Sequence, residues 1–332
     1  MRQAPTLRLA KLAGAAALAL AAIAPAHAAD EAFTYMTNWY AQAEHGGFYQ
    51  AVATGIYKKY GLDVTIKMGG PQVNIAQMMA AGQTDCIMGS SDIQAMQMRE
   101  GGLPITTVAA FFQKDPQVLI AHDDVKSFED LKGKTILIAN SANRGYWPWV
   151  KMKFGLTDSQ TRPYTFNIQP FVADKNTVQQ GYLTSEPYAI QKAGVKATTL
   201  LMSDHGYTAY ATTVSCMDKT LKERSKAVAA FVKASAEGWK SYLADPAPGN
   251  ALIKKDNPNM TDDQLAYSVA KLKEMGIVAS GDATKLGIGV ITDARSKQNY
   301  DFLVAAKLLD PGKVELAKTY TTEFVKDAKV LP

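Results

Sequence analysis

The sequence predicts an α/β fold of two lobes, and three observations carry that prediction. From Ala32 onward, short apolar runs alternate with segments of helical periodicity, and the same alternation restarts near Gln117. Without its first 28 residues the chain has about 300, beyond the size at which single hydrophobic cores usually stop growing. Apolar residues make up 47% of the sequence, too many for a disordered chain.

The elements follow in order. Residues 1–28 read as a secretory leader: Arg2, Arg8 and Lys11 precede an apolar run from Leu12 to Ala24, and Ala26-His27-Ala28 has the small-x-small form of a cleavage site. The run is shorter than the roughly 20 residues that span a bilayer, so cleavage after Ala28 and an exported, unanchored mature protein are expected. Removal takes three of 36 basic residues and none of 31 acidic ones, lowering the formal charge from +5 to +2. A nucleic-acid partner thereby loses its electrostatic basis.

"AFTYMT" is the first strand. Phe48, Val52, Ile56 and Tyr60 then recur every four residues as one helix face that Gly61 ends. "LDVTIKM" is a strand, "PQVNIAQMMAAG" a helix, "TDCIMGS" a strand, and "IQAMQMREG" a helix that Ser91 or Asp92 can cap; "ITTVAAFF" is the fourth strand. After the crossing near Gln113 to Val118 come the strand "QVLIAH", a short helix in "SFEDLKG", the strand "KTILIAN" and the helix "GYWPWVKMKFG". Three further runs, "YTFNIQPF", "GYLTSEPYAI" and "TTLLMSD", are spaced for a second small sheet. "YATTVSCM" leads back to a helical remainder in which Val228, Phe231, Val232, Trp239 and Tyr242 share one face, followed by amphipathic helices over 261–276 and 294–309. The reading assigns 29–117 and 218–332 to lobe 1 and 118–217 to lobe 2, around parallel sheets. Cys86 and Cys216, far apart in apolar runs, are expected as buried free thiols, with a disulfide the alternative.

Ligands of open parallel sheets collect beyond the carboxyl ends of the strands. The loops there offer Trp39, Tyr40 and His45 in "NWYAQAEHGGFYQA", then Asn74, Ser90, Ser91, Asp92, Ser141, Asn143, Arg144, Tyr146 and Trp147, and, in an irregular segment of lobe 2, Glu186 and Tyr188. Aromatic faces with a few amides, hydroxyls and one carboxylate suit a flat, polar, small ligand. Trp39 and Tyr40 are adjacent, so in extended backbone only one faces the cleft. Of Trp147 and Trp149, flanking Pro148, one is expected to pack and the other, Trp147, to meet ligand. Pro187 is expected to keep Glu186 out of helix.

Catalysis finds little support. The three histidines beyond the leader, His45, His122 and His205, make no i, i+4 pair, and no G-x-S-x-G elbow or phosphate loop occurs. No metal site and no cofactor is expected, and a binder is the first reading.

The stretches "NWYAQAEHGGFYQAVATGIYKKYGLDVTI", "VNIAQMMAAGQTDCIMGSSD", "FEDLKGKTILI" and "QQGYLTSEPYAI" resemble the periplasmic solute-binding proteins of the thiamine-pyrimidine-synthase-like family, relatives of the nitrate, sulfonate and taurine binding proteins of ABC importers. The resemblance implies a two-lobed type II periplasmic-binding fold, its ligand cleft between the lobes, that resides in the periplasm, closes by hinge motion and delivers a small molecule to an inner-membrane ABC permease, as a monomer. It also implies an aminopyrimidine-type site at Trp39, Tyr40, His45, Glu186 and Tyr188. Fungal pyrimidine synthases share the fold but rely on a cysteine-rich motif and iron; this chain has no cysteine cluster. The expected ligand is a planar nitrogen heterocycle, a thiamine-related pyrimidine or a larger flavin-like ring. Arg144 in the cleft would instead favour a small organic anion, a sulfonate, carboxylate or nitrate. A secreted enzyme centred on His45 is the third reading.

Overall fold

The computed structural model describes residues 1–2, 29–70, 73–139, 142–143 and 145–332. The leader from residue 3, its cleavage site, Ser141 and Arg144 lie outside the described residues. Four strands, β1 (Glu31–Met36), β2 (Leu62–Lys67), β3 (Cys86–Ser91) and β4 (Ile105–Phe112), begin one sheet. Five more, β5 (Gln117–His122), β6 (Thr135–Ile138), β7 (Thr161–Pro163), β8 (Thr177–Tyr182) and β9 (Ala197–Leu201), build a second, and β10 (Ala211–Met217) returns to the first. The spatial orders are β2-β1-β3-β10-β4 and β7-β6-β8-β5-β9.

Both sheets are mixed, which corrects the expectation of all-parallel ones. β1 pairs parallel to β2 and β3, but β10 runs antiparallel between β3 and β4. β6 pairs parallel to β7 and β8, while β5 runs antiparallel between β8 and β9. In each sheet, therefore, one strand arrives from the opposite direction because the chain crosses between lobes there. β10 belongs to the first sheet, so the return crossing precedes Ala211, inside the stretch that the sequence reading gave to lobe 2.

Helices α1 (Gly46–Ala53), α2 (Ile56–Lys59), α3 (Ile75–Ala80) and α4 (Asp92–Glu100) follow strands of the first sheet; α5 (Trp147–Phe154), α6 (Gln169–Ala173) and α7 (Glu186–Lys192) follow strands of the second. The remainder is α8 (Asp218–Glu223), α9 (Ser225–Ala244), α10 (Ala247–Asp256), α11 (Asp262–Glu274), α12 (Ala283–Leu286) and α13 (Asp293–Ala305). The single helix expected from Phe48 to Tyr60 is two, because Gly55 takes φ 69° between them. "YTFNIQPF" is a loop running into α6 rather than a strand.

The larger core packs Phe33, Tyr35, Phe48 and Phe111 against Phe231 and Trp239 of α9. Gly46 and Gly47 exist for this contact: a Cβ on Gly47 would stand 2.2 Å from the Trp239 ring, and one on Gly46 2.1 Å from that of Tyr242. α1 therefore lies directly on α9. The second core gathers Phe128, Trp147, Trp149 and Val150 with Leu303 of α13.

Cys86 and Cys216 are joined in a disulfide, overturning the expectation of free thiols. Antiparallel pairing of β10 with β3 sets the two residues directly opposite, with Cα atoms 4.3 Å apart. Sequence distance alone could not show this, since it depends on which sheet β10 joins.

Candidate ligand-binding site

A cavity of about 480 Å³ lies between the sheets, where the carboxyl ends of β1, β3, β6 and β8 face one another. The loop after β1 contributes Asn38, Trp39, Gln42, Glu44 and His45; β3 and α4 contribute Ser90, Ser91, Gln94 and Gln97. From the other side come Gln117 of β5, Tyr146 before α5, Tyr164 and Phe166 after β7, Gln180 and Tyr182 of β8, Glu186 of α7, and Tyr207. Asp115, in the first crossing, lines it too.

Hydrogen bonds fix most of these groups. Ser91 caps α4, its Oγ accepting from the Gln94 N–H at 3.3 Å, which leaves Asp92 as the first helical residue. Ser90 N–H donates to Gln94 Oε1 at 2.9 Å, and Asn38 Nδ2 donates to Ser90 Oγ at 2.8 Å. Gln180 Oε1 accepts from the Ala139 N–H at 2.6 Å and from the Tyr146 hydroxyl at 3.0 Å. Glu186 accepts from the Tyr164 hydroxyl at 2.9 Å and from the Tyr182 N–H at 2.8 Å. It begins α7, with Pro187 in the first turn, where the missing N–H costs nothing. The expectation that Pro187 excludes Glu186 from helix was wrong for this reason.

Three carboxyls are buried around the cavity. Burial raises Glu44 from 4.5 to about 7, with the Glu186 charge adding to it, against the hydroxyl of Thr184 that donates to Oε1. Burial raises Asp115 from 3.8 to about 7, and raises Glu186 as well. Burial lowers His45 to about 3, so its ring is neutral. Asn38 Oδ1, Glu44 Oε2 and His45 Nδ1 are buried without a hydrogen-bond partner among the described residues. Such atoms are costly unless something pairs with them. No Lys or Arg is among the described residues that line the cavity.

Of the residues chosen from sequence, Trp39, His45, Ser90, Ser91, Tyr146 and Glu186 line the cavity. Five others do not. Tyr40 is 38% exposed beside Gly70. Asn74 caps α3, accepting from the Gln77 N–H at 3.1 Å. Asn143 is exposed. Trp147 is wholly buried, its indole N–H donating to Asp158 at 2.8 Å, and Trp149 is buried too, so neither is the exposed member of a pair. Tyr188 packs on Tyr267 of α11, ring centroids 5.3 Å apart. Among the described residues no group of three or more His, Cys, Asp or Glu side chains is placed to hold a metal ion.

Two lobes around such a cleft define the periplasmic-binding-protein class of folds. Solved structures agree over nearly the whole chain: the ligand-binding component of an ABC-type import system from Staphylococcus aureus, with zinc bound (TM-score 0.66, 12% identity, 90% of this chain and 99% of that one), and the alkanesulfonate-binding protein SsuA of Xanthomonas axonopodis pv. citri, bound to MOPS (TM-score 0.65, 14% identity, 89% and 99%). The NMT1/THI5-like family matches residues 42–248, and the chain belongs to that family. Its sequence is also similar to the riboflavin-binding protein RibY of Chloroflexus aurantiacus, 24% identical over 304 residues that cover 89% of this chain and 85% of that one.

Proposed function

We propose that this protein is the periplasmic solute-binding component of an ABC-type importer, and that it captures a planar nitrogen heterocycle of more than one ring, flavin-like in size, by closure of its lobes. The cavity carries the reading: aromatic rings from both lobes, with glutamine amides and buried carboxyls between them. About 480 Å³ falls within the range of drug-sized ligand sites, about 300 to 1,000 Å³, and is generous for a single pyrimidine. Carboxyls near 7 and amides offer both donors and acceptors to ring N–H and C=O groups. RibY, by its name, binds such a ring. The disulfide and the leader sequence fit an oxidising, exported location. In this reading the protein acts stoichiometrically, as a monomer handing its ligand to a permease.

The second reading, a small organic anion, rests on Arg144, whose neighbours Gly145 and Tyr146 line the cavity. A thermal-shift screen of residues 29–332 against riboflavin, thiamine, aminopyrimidines, taurine, alkanesulfonates and nitrate separates the two. Ligand at about 100 times its dissociation constant adds about 2.7 kcal/mol, which raises the melting temperature measurably. Riboflavin is expected to shift it, and Trp39→Ala to abolish the shift. A shift with anions alone, lost in Arg144→Ala, would replace the heterocycle by an anion.

A further inference from the structure

Trp39 and Phe166 meet edge to face, their ring centroids 5.6 Å apart and their planes at 75°. Both line the cavity, Trp39 from the loop after β1 and Phe166 from the loop between β7 and α6. The contact therefore joins the two lobes. Phe166 is also 41% exposed, one of few large apolar side chains left so open, and its φ is 59°. A bulky residue in the left-handed region is rare, since a turn that needs this conformation is served at less cost by Gly or Asn. Asn167 stands one position too late to take that place. Two residues earlier the loop is anchored, because the Tyr164 hydroxyl donates to buried Glu186 at 2.9 Å. Exposure, unfavourable backbone and a ring that reaches across the cleft are not explained by core packing.

We infer that Trp39 and Phe166 form an aromatic gate at the mouth of the cleft, which retains the ligand and sets the preference for flat ring systems. The inference rests on the heterocycle reading above. With the two rings in contact, the cavity of about 480 Å³ already exists behind them. A planar ligand passing between them needs about 3.5 to 4.0 Å of clearance from each ring. Turned face to face across it, the two rings must then stand about 7 to 8 Å apart, against 5.6 Å between their centroids now. That is a small excursion of two loops, or of the lobes that carry them. A ligand with substituents above and below its ring demands a wider one.

Stopped-flow binding of riboflavin to wild type, Phe166→Ala and Phe166→Tyr tests the gate. Without the Phe166 ring, release is expected to quicken about two- to tenfold with association unchanged or faster, while Phe166→Tyr behaves as wild type. Unchanged release in Phe166→Ala, in protein whose melting temperature is also unchanged, would overturn the gate and leave the heterocycle reading standing. Wild-type protein that binds no heterocycle would overturn both. A second measurement needs no ligand. Trp147, Trp149 and Trp239 are buried, so the emission change caused by Phe166→Ala belongs to Trp39, and should vanish in a Trp39→Phe background. Identical emission in wild type and Phe166→Ala would mean that the rings do not meet in solution, and the gate would fall.

Discussion

Replacing Glu44 by glutamine should change how stability depends on pH. Glu44 is 1% exposed, with one carboxyl oxygen accepting from the Thr184 hydroxyl and the other unpartnered among the described residues. Burial raises its pKa from 4.5 to about 7. Between those values the folded chain holds a proton that the unfolded chain has released, so stability falls as pH rises through the window and levels off above it. At about 1.4 kcal/mol per tenfold change in acidity, wild type loses about 2 to 3 kcal/mol between pH 5 and pH 8 through this one group. Glutamine keeps an oxygen for Thr184 and does not titrate. Whatever constant cost its amide brings, the stability of Glu44→Gln relative to wild type should improve by about 2 to 3 kcal/mol from pH 5 to pH 8, read from urea unfolding curves of the ligand-free proteins. Parallel pH profiles for the two proteins would show that Glu44 titrates as a solvated acid, and the burial argument for its raised pKa would fail.

Two further outcomes are expected. Reducing Cys86–Cys216, which closes a loop across 130 positions of sequence separation, should lower stability by about 2 to 5 kcal/mol, seen as a lower urea midpoint in dithiothreitol; equal midpoints, with two titratable thiols in the unreduced protein, would refute the bond. Tyr188→Ala should leave riboflavin affinity within about twofold while costing about 1 kcal/mol of stability through the lost Tyr267 contact, and a tenfold loss of affinity would return Tyr188 to the cleft.

Much of this architecture was legible because it is local. The face of α9, Val228 to Tyr242, and the alternation of strands with helices follow from periodicities that only burial explains. Thr261 was legible as the start of α11, whose Gln264 N–H it caps. The direction of β5 and β10 was not, since an apolar run reads the same whether it enters a sheet parallel or antiparallel. The disulfide was missed with it. At the site, the loop after β1 announced itself by crowding Trp39 and His45, yet Glu44, between the two, was not among the residues chosen. Asp115 and the five lining glutamines, Gln42, Gln94, Gln97, Gln117 and Gln180, carry no motif. Only their convergence from five elements makes them a site, and single-sequence patterns do not show convergence. Trp147 shows the opposite failure: its side chain turns inward to Asp158, a partner eleven residues on.

The insertion of β10 between β3 and β4 also governs the order in which the chain can fold. A chain made from its N-terminus has β1 to β4 in hand after about one third of its length, yet β4 cannot join the other three, because the strand that lies between β3 and β4 comes after every strand of the second sheet. Meanwhile β3 and β4 each present an unpaired edge, and Cys86 has no partner until Cys216 emerges. Pairings so distant in sequence close slowly. The second sheet, whose strands run without interruption from Gln117 to Leu201, is complete first. A nascent chain of this protein thus stays incompletely folded until two thirds of it has been delivered, which would suit the exported location proposed above.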